Sequence, residues 1–299
     1  MARVRIALFV LEALPNARTM RRFVADNARD IAFVGLSNAE RPSAGGVITQ
    51  VRQHLRRSGP AIVPYLVVNF GLPDWLKPVA PLTQAIAGTR GVPEATPLKK
   101  LCAQLGIPTL KVDDVNGAEV ARALRSHAPD LILTYHFDQI LTPETIDSVP
   151  LGGINFHPAL LPRHRGAVPT IHALCDGPDT FGMTLHRLEA RIDAGAILAQ
   201  ESVRLPADVT ATRAALLLHE SGRPMLDKVL DEIAYTGSVP GGSKVPPLPY
   251  CPLPGRAMLQ QMRRRGLKLT DARDLRYALA VSSAAPRAGL TREIAQLTP

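Results

Sequence analysis

The sequence is poor in aromatic residues: one Trp, five Tyr and seven Phe make up 4% of 299 residues. Proteins that hold single-stranded nucleic acid stack its bases on aromatic side chains, and so few rings leave little such surface. Cysteine is scarce as well. Cys102, Cys175 and Cys251 are odd in number and far apart. They form neither a disulfide framework nor a Cys-x-x-Cys metal pair, and a reducing cytoplasm is the expected setting. No hydrophobic run is long enough for a membrane span. The uncharged stretch over residues 59–73 is broken by Pro60, Pro64 and Pro73 and cannot form a spanning helix. The apolar run that starts at Ile6 is stopped by Glu12; this is short for a signal-peptide core and reads as a buried first strand.

What is present is ordinary for a globular protein, with 46% apolar and 20% charged residues, and the length suits one large domain or two small ones. Twenty-seven prolines and 22 glycines imply many defined turns. The formal charge of +9 is uneven: from Arg256 onward nine Lys/Arg face three Asp/Glu, so the remainder is close to neutral. A globally cationic nucleic-acid binder is therefore not expected.

Short apolar runs alternate with helical patterns. Residues 3–11 and 31–36 read as buried strands, separated by a helix over 16–29 with Asn16 as its cap. Residues 107–112 and 130–135 read as strands around a helix over 116–127, and residues 152–156 form the next apolar run. This alternation predicts an α/β fold, a mostly parallel sheet with helices on both faces. In such sheets ligands gather beyond the carboxyl ends of strands, which directs attention to the residues just after Phe156. Residues 1–236 read as one domain carrying an insertion at about 43–95. A long amphipathic helix over 210–234 closes it. Residues 237–299 read as a Pro/Gly linker and a short basic extension with helices over 258–265 and 271–281.

The insertion combines an amphipathic helix over 47–57, bearing Arg52, Arg56 and Arg57, with an apolar, proline-stiffened run over 61–72. That much apolar surface needs a cover: the domain itself, a second copy of the chain in a homodimer, or an apolar substrate. If the domain is the cover, the insertion is expected near Asn155, Arg163 and Arg165.

The densest group of reactive residues is Gly152-Gly-Ile-Asn-Phe-His-Pro-Ala-Leu-Leu-Pro-Arg-His-Arg-Gly166. Asn155 and His157 lie two apart at a strand end, so amide and imidazole share a face. A lone histidine such as His127 or His164 reads as an ordinary core or surface residue. Asn155 and His157 carry more weight because Asp193 supplies a third group. His157 and His164 have no carboxylate or thiol at ligand spacing, so no metal site is expected.

Those residues also carry a resemblance. Asn155-Phe-His-Pro-Ala-Leu-Leu-Pro-Arg-His-Arg-Gly166, Asp176-Gly-Pro-Asp-Thr-Phe-Gly-Met-Thr-Leu-His186 and Arg191-Ile-Asp-Ala-Gly-Ala-Ile-Leu198 resemble the folate-dependent formyltransferases. This group comprises the glycinamide ribonucleotide, methionyl-tRNA and sugar-amine formyltransferases and the related formyltetrahydrofolate hydrolases. Ala128-Pro-Asp-Leu-Ile-Leu-Thr-Tyr-His-Phe-Asp-Gln-Ile-Leu-Thr142 is similar to the group's strand and pterin-side loop. The likeness is strong over 128–200 and weaker on either side.

The resemblance implies a Rossmann-like fold, 10-formyltetrahydrofolate as formyl donor, and catalytic roles for Asn155, His157 and Asp193. It implies a cofactor site along Asp138, Gln139, Ile140 and Leu141, with His186 at a histidine that some members carry in the strand before the aspartate. In chemical terms, Asn155 and His157 would donate to the oxygen of the reacting formyl group. Asp193 would favour the imidazolium and raise the His157 pKa.

Departures bear on the acceptor. Ala159 stands where the group commonly has serine. Glu12-Ala-Leu-Pro-Asn-Ala lacks the glycines with which the purine-pathway enzymes cradle a phosphate after strand one. The expected acceptor is a primary amine on a small molecule or amino sugar. A tRNA acceptor is the alternative, favoured by Arg163, Arg165, the arginines of the insertion and the basic tail. Against it, some sixty residues after Ala234 are few for the C-terminal barrel of the tRNA enzymes. A formyltetrahydrofolate hydrolase and a non-catalytic folate-binding protein complete the alternatives.

Overall fold

The computed structural model describes residues 3–38, 40–41, 45–79, 81–82, 85 and 92–280. Strand β1 (Ile6–Val10) is buried along its whole length. Ile6, Leu8 and Val10 enter one apolar cluster, while Ala7 and Phe9 enter a second on the other face. This period of two, apolar on both sides, is the pattern of a central parallel strand. Helix α1 (Leu14–Asp26) and β2 (Ile31–Ser37) come next, then α2 (Gly46–Ser58). After them stand α3 (Leu98–Leu105), β3 (Thr109–Val112), α4 (Ala118–His127) and β4 (Leu131–Tyr135). The chain continues through β5 (Gly153–His157), α5 (Pro169–Asp176), β6 (Gly182–Arg187), β7 (Ile197–Ser202) and α6 (Ala211–Thr236). Helices α7 (Arg256–Arg264) and α8 (Ala272–Ala280) complete the described chain.

The seven strands lie in the order β3-β2-β1-β4-β5-β6-β7. The first five are mutually parallel, and β6 and β7 are added antiparallel. The expected mostly parallel α/β sheet is therefore present. The antiparallel pair turns the chain back beside β5, setting Asn155 opposite His186.

Two expectations change. Asn16 is not the cap of α1. Ala13 is, and the Asn16 side chain reaches back to accept its N–H at 2.8 Å; Pro15 in the first turn starts the helix two residues earlier. The proline-stiffened run of the insertion, whose conformation the sequence leaves open, is helical. Pro60, Pro64 and Pro73 each sit in the first turn of a short helical segment, where a missing N–H costs nothing. Its cover is this same chain. Ile62, Tyr65 and Asn69 are buried, Val68 packs with Leu14 and Ala278, and Asn69 donates to the Thr212 hydroxyl at 2.8 Å.

Nor is the Pro/Gly stretch 237–255 a free linker. Ser243 exchanges two hydrogen bonds with Ile197 at 2.9 and 2.8 Å. Arg187 donates to Val239 and Pro240, Arg57 to Leu253, Ser58 to Pro254 and His172 to Pro252. An extended, proline-rich backbone satisfies none of its own carbonyls, and side chains of the core take them up as a strap.

Among the described residues no strand comes after β7, and no helix is long and apolar enough to cross a membrane. The Asp274 carboxylate in α8 accepts the Thr210 hydroxyl at 2.7 Å, which ties the C-terminal helices to α6. Residues 281–299, and with them the end of the expected last helix, lie outside the described residues.

Helix α6 passes so close to the sheet that a Cβ on Gly222 would stand 2.6 Å from the Met183 side chain and 3.0 Å from the Phe156 ring. Gly222→Ala is expected to cost about 1–3 kcal/mol through overpacking, read as a lower denaturant midpoint.

Candidate active site

Parallel strands end their backbone pairing at one edge of the sheet, and the loops beyond β1, β4 and β5 meet there. Asn155 and His157, two apart on β5, project towards Asp193 in the β6–β7 loop. The Asn155 amide is fixed by three partners. Its oxygen accepts from the Thr134 hydroxyl at 2.8 Å, and its nitrogen lies 3.0 Å from His186 Nε2 and 3.3 Å from Asp193 Oδ1. His186 Nδ1 donates to the Arg187 carbonyl at 2.8 Å. In the neutral ring Nε2 is then the acceptor of the Asn155 N–H. His186 is buried with both nitrogens engaged; it holds Asn155 from behind and presents no nitrogen to a ligand.

His157 Nδ1 lies 3.7 Å from Asp193 Oδ1, and its Nε2 is buried without a partner. Asp193 Oδ2 accepts the Gly166 N–H at 2.9 Å. Burial alone would raise the Asp193 carboxyl, but His157, His186 and this N–H outweigh it and hold the group at about 2. His157 runs against expectation. Burial pushes its pKa below the ordinary histidine value, and Asp193 recovers only part of the loss. The physical reason is that a ring 6% exposed pays more for desolvation than the carboxylate at 3.7 Å and the hydrogen bond with the His164 backbone together return. The resting ring is neutral at pH 7. With Nδ1 turned to the carboxylate, the proton is assigned there and the lone pair to Nε2.

Four non-glycine residues among those described have left-handed φ, and three of them, His136, His164 and Asp193, surround this pocket. Such strain persists where neighbours over-determine the backbone. His136 ends β4 between Phe70 of the insertion (ring centroids 6.3 Å apart) and His219 of α6 (5.8 Å). His219 stacks on Tyr135 at 5.2 Å. Burial lowers His136 to about 4 and His219 to about 3, so both rings are neutral.

The insertion thus reaches the pocket at His136, while Arg163 and Arg165 lie in the loop that carries Gly166. Arg165 is 4% exposed and donates to main-chain carbonyls, which removes it from the basic surface expected of a tRNA contact.

Residues 138–141 lie just after β4. Asp138 accepts from Arg41 at 2.6 Å and from Ser37 at 2.5 Å, and Gln139 bridges Val115, Val112 and Ser37. Their side chains brace this loop against β2 and β3. Asn116 donates to the Ile140 carbonyl at 2.9 Å, the Ile140 side chain is exposed, and Leu141 is buried. Burial raises all three thiols, Cys102 to about 12, so none is an activated nucleophile. Among the described residues no group of His, Cys, Asp and Glu could hold a metal.

Residues 79–230 match the family model described as Formyl transferase. The chain belongs to the formyl transferase family. Curated relatives include the methionyl-tRNA formyltransferase of Chlorobium phaeovibrioides, 38% identical over 141 residues, which are 47% of this chain and 44% of that one. That of Roseiflexus castenholzii is 35% identical over 153 residues, 51% and 49% of the two chains. This chain spans about half the length of those formyltransferases.

Solved structures share the fold. Phosphoribosylglycinamide formyltransferase from Anaplasma phagocytophilum has a TM-score of 0.53 at 19% identity, covering 78% of this chain and 87% of that one. A sugar N-formyltransferase from a Shewanella species has a TM-score of 0.50 at 17% identity, covering 93% and 87%.

Sequence reasoning missed Thr134, Gly166, His136, His219 and Glu12 as parts of this edge. His136 gave a faint signal, a histidine directly after a strand. His219 gave none, because nothing in an amphipathic helix says which strand end its polar residue will meet.

Proposed function

We propose that this chain transfers a formyl group from 10-formyltetrahydrofolate to a primary amine on a small molecule, an amino sugar being the favoured class. The observation that carries the proposal is the convergence of the Asn155 amide nitrogen and His157 Nδ1 on one ionised carboxylate oxygen, Asp193 Oδ1, at 3.3 and 3.7 Å, which leaves the buried His157 Nε2 without a partner.

Bound folate supplies a formyl carbon on N10, at the oxidation level the product needs. Neutral N–H and lone-pair groups suit such a donor. Negative charge on the formyl oxygen grows as the amine attacks, and an Asn155 N–H, released from its long bond to Asp193, stabilises it. His157 Nε2 takes the proton that the attacking amine sheds. Asp193 stabilises the imidazolium as it forms, and the ring then returns the proton to the departing N10 nitrogen. The low pKa of His157 suits the first half of this cycle and Asp193 the second. Residues 138–141 are proposed to receive the pterin through their main chain, since the Asp138 and Gln139 side chains are engaged.

Glu12 supports the exclusion of a phosphate after β1. Its buried, ion-paired carboxylate, 2.7 Å from Arg21 and 3.5 Å from Lys77, fills that strand end and commits both cations to itself.

A second reading, tRNA as acceptor, is favoured by an open cleft of about 520 Å³ lined by Gln53, His54, Arg56, Arg57 and Leu253.

Purified protein would be given formyl-labelled 10-formyltetrahydrofolate with a metabolite extract or with methionyl-tRNA, and the products analysed by mass spectrometry. A labelled small amine is the expected product. Label confined to tRNA favours the second reading, and labelled formate alone, or no released label, sinks the transferase proposal.

A further inference from the structure

Asp193 has a left-handed backbone (φ +46), a conformation uncommon for non-glycine residues though more accessible to Asp than to most. Arg165 grips this turn. Its side chain is buried, and its Nε donates to the carbonyls of Ile192 at 3.0 Å and Asp193 at 3.1 Å. Nη2 also donates to the Ile192 carbonyl, and Nη1 donates to the Leu248 carbonyl of the strap at 2.6 Å. The next residue completes the grip, since the Gly166 N–H donates to Asp193 Oδ2.

The strap bears on the same spot. Cys251 N–H donates to the Arg165 carbonyl at 2.7 Å. At Gly166 (φ +135) a Cβ would stand 2.3 Å from the Cys251 carbonyl oxygen, so no larger residue fits. A planar fork that meets carbonyls on two segments fixes both position and orientation, which a single-point contact does not.

We propose that Arg165 is a positioning residue that sets Asp193 against His157, with the 237–255 strap as its fixed point. This rests on the reading in which Asp193 stabilises the imidazolium of His157. It makes the Pro/Gly stretch part of the active-site machinery, although it supplies no group to the reaction.

The test tracks the His157 ring by NMR in histidine-labelled full-length protein across pH. The groups that act on this ring are Asp193, His186 on β6, His164 in the β5–α5 loop, His136 after β4 and His219 on α6. Arg165→Met keeps an apolar stem of similar length and removes the fork. Losing a nearby cation by itself would raise the His157 pKa. Losing the placement of Asp193 would lower it, by roughly one pH unit for an opposite charge that moves out of reach. The sign therefore separates the two.

The expected results are a fall in Arg165→Met, a similar fall in Asp193→Asn, and no further fall when both are combined. Arg165→Lys, which keeps the charge but cannot span the carbonyls of Ile192, Asp193 and Leu248, is the variant to measure if Arg165→Met fails to fold, with the same direction expected. A rise, an unchanged titration, or an equal shift in the Asp193→Asn background would overturn the proposal. No turnover is needed, so failure of the formyl-transfer reading would show separately, as absence of formylated product with this coupling intact.

Discussion

His157→Ala is expected to reduce kcat by about 10²–10⁴, the span of a positioned proton-transfer group, while the protein still folds, at a lower melting temperature because a buried ring beside Asp193 is lost. The ring sits at the carboxyl end of β5, after the strand's last apolar residue, so its loss leaves the strand pairing intact. Asn155→Ala is expected to cost about 10²–10³, the worth of one donor to a developing oxyanion. Its effect on stability is larger, because Thr134 and His186 lose their shared partner.

The pH dependence comes from the direction of the His157 shift. A ring that must be neutral to accept the amine proton gives a rate that rises with pH and levels off. Its acid limb lies below the ordinary histidine value of 6.5. Asp193→Asn removes the influence that raises the pKa, so the limb moves to lower pH. The plateau drops as well, because the imidazolium formed during transfer has lost its counter-charge. A limb that moved upward would show that burial does not govern this ring.

Glu12→Ala is expected to cost about 3–5 kcal/mol of unfolding free energy, the usual penalty when one partner of a buried ion pair is removed. Glu12 Oε1 accepts from Arg21 at 2.7 Å and from the Leu98 N–H at 3.0 Å, and Oε2 faces Lys77 at 3.5 Å. It thus joins β1, α1, the insertion and α3 at one point, and its loss removes the carboxylate that faces a guanidinium 3% exposed. Burial alone would raise the Glu12 carboxyl, but Arg21, Lys77 and the two hydrogen bonds outweigh it and hold it below the ordinary value. A depressed folded-state pKa means stability that is complete above the unfolded value, near 4.3, and lost as pH falls through the folded one. Asp193, held at about 2, adds in the same window. Urea midpoints measured from pH 7 down to pH 3 should therefore fall less steeply in Glu12→Ala than in the native chain. Equal slopes would place the acid sensitivity elsewhere.

The sheet is legible in the sequence because parallel strands buried on both faces leave unbroken apolar runs. Residues 6–10, 31–37 and 131–135 fit no other element as well, and helix periodicity marks α4 and α6. Asn155 and His157 are legible for a related reason, since a spacing of two at a strand end fixes a shared face whatever the rest of the chain does. Asp193 needs the likeness to a family, because a residue 36 positions away along the chain has no spacing rule to place it.

Where composition is the only guide, the sequence says less. Prolines at the first turns of short helices look the same in sequence as prolines in an extended run, so the conformation of residues 60–79 is not legible until the helices are seen. A Pro/Gly stretch reads as a linker until the arginines that take its carbonyls are in place.

The sequence by itself thus determined the five parallel strands, the helices α1, α2, α4 and α6 and the amide–imidazole pair, because these rest on local periodicity, whereas the antiparallel β6 and β7 were not read from it. Only the tertiary structure decided the charge state of His157, the burial of Arg165 against Asp193, and the binding of the strap. Each of these depends on how much water a group loses and on which distant atoms replace it.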